Sequence, residues 1–104
     1  MSMGLETDIE GSATETLWTT YGVLSCKLKM GGNSGWPDRL YCGPNGGICF
    51  VEFKRGGNTP SARQRYIHRL LRAFGFAVQT HRDKMVAVRA ILKALGLTPI
   101  PDHR

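Results

Sequence analysis

At 104 residues the chain is long enough for one folding unit, burying roughly 65% of its unfolded surface, and its 41% hydrophobic content is that of a globular protein. No apolar run approaches the ~20 residues of a membrane span, and the acidic stretch Met1 to Glu10 lacks the apolar core of a signal peptide. The net charge of +6, with a sequence pI near 9.7, favours a polyanionic partner through counterion release. The charge is segregated as well. Residues 1–20 hold acids and no Lys or Arg, and residues 54–93 hold most of the basic side chains. Cys26, Cys42 and Cys49 are odd in number with no CxxC, which argues against a disulfide framework or zinc knuckle and for small buried hydrophobes in a reducing compartment.

Leu5 to Tyr21 predicts a first helix, with Ile9, Ala13 and Leu17 on one face. Its five threonines and Gly11 make it a poor helix former that packing must hold, and Gly22 is its stop. Val23 to Leu28 reads as a short strand, Met30 to Trp36 as a loop, and Asp38 to Cys42, after Pro37, as a second strand. Gly43-Pro44-Asn45-Gly46-Gly47 is a turn. Ile48 to Lys54 is rich in β-formers, so the strands on either side of the turn should form an antiparallel hairpin. Thr59 and Pro60 are read as N-cap and first residue of a second helix to Phe74, with Ile67, Leu70, Leu71 and Phe74 buried and Gly75 as its left-handed end. Phe76 to Thr80 is then a strand parallel to Ile48–Lys54, because a helix intervenes. Asp83 caps a last helix to Leu95, whose core stripe is Val88, Ile91, Leu92 and Leu95. The expected architecture is one α/β domain over 1–104, in the order α-β-β-β-α-β-α, with a mixed sheet flanked by helices and loose tails at 1–4 and 98–104.

The chemistry concentrates on the hairpin. Glu52 and Lys54 are two apart and share one face of their strand, and charges on the strongest core strand are costly unless used or paired. If the hairpin is centred on Asn45, Asp38 faces Glu52; a bulge in the turn would flip it away. Adjacent carboxylates repel one another and suit a hard divalent ion such as Mg²⁺ or Mn²⁺, which can acidify a bound water for attack on phosphorus. The alternative is a structural cross-strand ion pair.

Gly35-Trp36-Pro37-Asp38-Arg39, the turn, and then Phe50-Val51-Glu52-Phe53-Lys54-Arg55 resemble the PD-(D/E)XK nuclease signature. More narrowly, the sequence resembles the virus-type replication-repair nuclease (VRR-NUC) family. The similarity extends through Thr59-Pro60-Ser61-Ala62-Arg63-Gln64, the leucine-rich helix and the Gly75-Phe76 strand, roughly Glu6 to Leu95. The resemblance implies a restriction-endonuclease-like αβββαβ(α) core and a metal-dependent deoxyribonuclease. It makes Asp38, Glu52 and the Phe53 carbonyl ligands of Mg²⁺ or Mn²⁺, Lys54 the catalytic lysine, and Gln64 a residue that orders the site or contacts substrate. It also implies an acid on the first helix, assigned to Glu10 with Glu6 as runner-up; a solvated N-terminal acid is the other reading of either.

Arg65, Arg69 and Arg72 form a ridge on the second helix, with His68 beside them and Arg55 and Arg63 near the site. Such a ridge could hold phosphates without reading sequence, or be a solvated helix face. Lys27, Lys29 and Arg39 are further candidates for phosphate contacts. Trp36 is either a wedge for unpaired DNA or packing beneath its loop. His68 and His81 lack metal-ligand spacing and are not assigned to catalysis. The family resemblance points to branched DNA, a four-way (Holliday) junction first, cut by a homodimer whose two sites match the junction's symmetry. A monomeric flap or nicking nuclease, a catalytically silent DNA-binding module and a small basic partner protein are the alternatives. The expected setting is soluble, without membrane attachment, in the cytoplasm of a bacterial or phage-infected cell, in replication, recombination or repair.

Overall fold

The computed structural model describes residues 6–28 and 34–100. Along them run α1 (Glu6–Tyr21), β1 (Leu24–Lys27), β2 (Arg39–Cys42), β3 (Ile48–Phe53), α2 (Ala62–Ala73), β4 (Ala77–His81) and α3 (Lys84–Leu95). The expected order of elements is observed, with ends shifted by a residue or two. Lys29, most of the loop from Met30, the segment 1–4 and residues 101–104 lie outside the described residues, as does the Glu6 side chain.

The four strands form one sheet in the order β1-β2-β3-β4. The first three are antiparallel and β4 runs parallel to β3, because α2 carries the chain back across the sheet before β4 begins. Cα pairs Arg39↔Val51 and Cys42↔Ile48 centre the hairpin on Asn45 without a bulge. The turn is pinned from outside. Asn45 donates its amide to the Leu95 carbonyl at 2.7 Å and accepts the Gly47 N–H. A Cβ on Gly47 would stand 2.8 Å from that same carbonyl oxygen, so glycine is what lets the turn sit on the end of α3.

Period-two alternation divides β3 between two layers. Cys49, Val51 and Phe53 face a core built with Tyr41, Ala13 and Leu17 of α1, and Ala87, Val88, Ile91, Leu92 and Leu95 of α3. Phe50 faces the other way, with Val78 and with Ile67 and Leu71 of α2. Covered on both sides, β3 needs a near-continuous apolar run, and Glu52 is the exception in it. Packing does hold the weak α1: Thr14 Oγ1 and the buried Tyr41 hydroxyl are hydrogen-bonded at 2.8 Å, beside Ala13 and Leu17.

The start and end of α2 differ from the sequence expectation. Ser61, not Thr59, is the N-cap, and Pro60 precedes the helix rather than opening it. Ser61-x-x-Gln64 closes a capping box in which the Ser61 hydroxyl accepts from Gln64 N and the Gln64 side-chain oxygen accepts from Ser61 N. That reciprocal pair outcompetes a lone threonine cap. At the other end Phe74 is 70% exposed. The helix stops at Ala73 and Gly75, at φ 98°, turns the chain into β4. Phe76 rather than Phe74 then lies edge-on to Phe50, ring centroids 5.6 Å apart.

Candidate active site

The site lies where β2 begins and β3 ends. One step beyond the Arg39↔Val51 pair, Asp38 comes opposite Glu52. Its backbone carbonyl accepts from Leu28 N at 2.8 Å and its Oδ2 accepts from Phe53 N at 2.8 Å, so both its main chain and its carboxylate are fixed by neighbouring strands. Lys54 N donates to the His81 carbonyl, which continues the parallel ladder past β3 and keeps Lys54 on the Glu52 side. Its ammonium is 3.4 Å from Glu52 Oε2.

Gln64 joins α2 to this centre. The side chain that completes the capping box also donates from Nε2 to Glu52 Oε2 at 3.2 Å. Ser61→Ala should therefore do two things at once: lower stability by about 1 kcal/mol and slow any reaction that needs a fixed Glu52. Urea melts and single-turnover rates on the same variant measure both.

Glu52 is 3% exposed, and its carboxyl is pushed up from 4.5 to about 7. Burial is the main cause, followed by the charge of Asp38, with Lys54 pulling the other way. Oε2 has Lys54 and Gln64; Oε1 is buried with no hydrogen-bond donor. Two carboxylates, one of them holding an unsatisfied buried oxygen, fit a bound cation. No group of three His, Cys, Asp or Glu side chains is gathered for a metal among the described residues. The remaining ligands of a cation would be backbone oxygens and water, the arrangement Mg²⁺ accepts most readily. Phe53, between Glu52 and Lys54, buries its ring against α1 and α3 and offers its carbonyl.

The structure gathers Asp38, Glu52, Phe53, Lys54 and Gln64 but does not bring Glu10 into that group. Glu10, 5% exposed, accepts from Arg39 Nε at 2.8 Å and lies 3.6 Å from Lys27 Nζ. Arg39 also donates to Ser25 Oγ. Arg39 alternates with Asp38 along the chain, so this cluster occupies the α1 side of the sheet. Arg39 and Lys27 thus spend charge on Glu10 that the sequence reading offered to phosphates. Removing one partner of a buried pair leaves the other uncompensated. Arg39→Leu should cost about 2 kcal/mol in urea unfolding, and the pairing with Glu10→Met should recover part of it. Additive losses in that double-mutant cycle would mean the two residues are energetically independent.

The basic ridge is partly engaged as well. Arg63 donates to the Ser34 carbonyl, Arg65 to the Pro60 carbonyl and Arg72 to the Val78 carbonyl. Arg63 and Arg69 flank the half-exposed Tyr66, each guanidinium 5.7 Å from the ring centroid. Arg55 is exposed beside the site. Arg82, which the sequence reading passed over, braces the 56–58 loop through the Gly56 and Asn58 carbonyls. Trp36 packs 6.1 Å from Phe50 with about a third of its surface exposed. His68 does not lie out with the arginines: it is 3% exposed, one turn after Gln64 on the inward face. Its i, i+4 spacing from Gln64 is compatible with that placement but did not single it out among the arginines. His81 bonds Gln79 at 2.7 Å. Of the cysteines only Cys49 is fully buried, its thiol pushed up to about 12 by burial; Cys42 is half-buried and Cys26 lies exposed on the edge strand.

No protein-family model matches the chain. Over 57 residues, 55% of its length, it is 42% identical to "Putative nuclease p44" of Acyrthosiphon pisum secondary endosymbiont phage 1, and the match spans 61% of that protein. A solved structure described as a VRR_NUC domain superimposes with a TM-score of 0.72 at 32% identity, covering 85% of this chain and 94% of the other.

Proposed function

The chain belongs to the VRR-NUC family, and from that premise we propose that it is a metal-dependent DNA endonuclease whose centre is Asp38, Glu52 and Lys54. The observation that carries this reading is Glu52: a carboxylate on the central buried strand, beside a second carboxylate, with one oxygen lacking any donor. A structural ion pair does not require that orphan, and evolution toward stability alone would remove it.

Asp38, Glu52 and the Phe53 carbonyl would hold Mg²⁺ or Mn²⁺. That ion supplies a polarised phosphate oxygen and an acidified water. Gln64 keeps the Glu52 carboxylate in one orientation through its hydrogen bond to Oε2. Lys54 presents an ammonium within reach of the same carboxylate, where it can neutralise charge that builds on the phosphate. Arg55, Arg63, Arg65 and Arg69 lie on or near α2 and supply phosphate contacts that position a duplex without reading its sequence. Glu10 supports the site indirectly, by fixing Arg39 next to Asp38.

The substrate is branched DNA, a four-way junction first, and the acting species is a homodimer in the cytoplasm of a bacterial or phage-infected cell. One chain carries one centre and resolving a junction takes two cuts, so a two-fold pair matches the substrate. No described helix is long and apolar enough to cross a membrane.

The test incubates purified protein with a labelled four-way junction, a 5′ flap and matched linear duplex in Mg²⁺, Mn²⁺ and EDTA, with light scattering on the same samples. Metal-dependent cutting of the junction by a dimer is the expected result. Cutting of flaps or nicked duplex by a monomer would replace the junction reading. Binding without cutting in either metal would leave a DNA-binding module.

A further inference from the structure

Among the described residues two buried polar side-chain atoms lack a hydrogen-bond partner: Glu52 Oε1, already placed in the centre, and His68 Nε2. His68 is 3% exposed and sits on α2 one turn after Gln64, so it faces the sheet beside the residue that holds Glu52. Burial, then the charges of Arg72 and Lys54, push its imidazole below the usual histidine range. At neutral pH the ring is uncharged and one nitrogen is an acceptor.

Packing alone leaves the burial of that nitrogen uncompensated. An apolar side chain at the same place would pack without leaving a desolvated nitrogen unpaired. Lys54 has the complementary requirement. Its ammonium carries three donors and is 3.4 Å from Glu52 Oε2. A divalent ion held on the carboxylates would repel that ammonium. An acceptor besides Glu52 would keep Lys54 at the centre.

We infer that His68 is a positioning residue: with a cation on the carboxylates, its Nε2 accepts a hydrogen bond from the Lys54 ammonium, directly or through one water, and holds it facing the substrate phosphate. This rests on the reading of Asp38, Glu52 and Lys54 as a cation-dependent nuclease centre. Gln64 and His68, one turn apart on one helix, then divide the work, Gln64 holding the carboxylate and His68 the ammonium.

Two measurements test it, one of them independent of turnover. In the first, MgCl₂ alone is titrated into ¹⁵N-labelled protein while the ring nitrogens of His68 are followed. The Nε2 resonance should move toward the hydrogen-bonded position in the wild type and fail to do so in Lys54→Met. In the second, His68→Leu and His68→Gln are compared with wild type on the DNA substrate. His68→Leu should lose at least about tenfold in kcat with KM unchanged and a metal-free melting temperature equal to or above that of wild type. His68→Gln, which keeps an acceptor, should recover part of the rate. A His68→Leu enzyme that cuts at the wild-type rate, or an Nε2 response that survives in Lys54→Met, overturns the inference. Wild-type protein that cuts nothing while the resonance still moves would overturn the nuclease reading and leave the Lys54–His68 contact standing.

Discussion

Glu52→Gln should cut DNA roughly two to three orders of magnitude more slowly than wild type, the scale of losing one principal electrostatic group, and still fold. The substitution keeps the shape of the side chain and an oxygen for Lys54 and Gln64 to bond. It replaces the other oxygen, which has no donor, with an amide that can donate to Asp38 instead of repelling it. The charge that would bind a cation is lost, while the hydrogen bonds that hold α2 to β3 are retained. Single-turnover cleavage and thermal melts on one preparation separate the two effects. A structural ion pair predicts the reverse, with a lower melting temperature and DNA handling intact. That outcome would remove Glu52 from the catalytic centre.

In metal-free buffer the contribution of Glu52 to stability should fall as pH rises from 4.5 through 7. Glu52 carries a folded carboxyl raised from 4.5 to about 7. Below 4.5 it is protonated in folded and unfolded chains alike and costs nothing. Above 4.5 the unfolded chain ionises first, and the folded state falls behind until the pH passes 7, by up to about 3 kcal/mol. His68 and His81 are both pushed below the usual histidine range by burial, so their contribution runs the opposite way. The quantity to plot is therefore wild type minus Glu52→Gln. Saturating Mg²⁺ should recover the loss above pH 7, since a ligand that binds only the folded state stabilises it. Urea midpoints at pH 5 and pH 8, in EDTA and in Mg²⁺, are sufficient. A difference that is the same at both pH values would mean Glu52 titrates as an ordinary surface acid.

The hairpin was legible from its turn residues and the β-formers that follow, but its register was legible only if the turn carried no bulge, which the observed Cα pairs then supply. With that register, Asp38, Glu52 and Lys54 follow by counting. The parallel β4 followed from α2, and α3 from Asp83 and its apolar stripe. Elsewhere tertiary contacts decided the outcome. Nothing local distinguishes Arg39, which turns inward to Glu10, from Arg55, which stays exposed. Phe74 continues the inward stripe by periodicity, yet Phe76 takes the place against Phe50 once Gly75 has turned the chain. Ser61 was readable, since Ser-x-x-Gln is a capping-box pattern, but Thr59-Pro60 two residues earlier offered a rival start. His68 was hidden by its neighbours: three arginines around it suggest a solvated helix face, and its burial shows only once α2 lies on the sheet.

The double engagement of Gln64 bears on how the protein folds. The first turn of a helix is its most costly part to form, because several dihedrals are fixed for one hydrogen bond. Here that nucleus and the orientation of Glu52 share a single amide. A chain whose first turn of α2 has frayed loses the Gln64 hydrogen bond to Glu52 as well. The order of that carboxylate is therefore coupled to the local stability of the helix start.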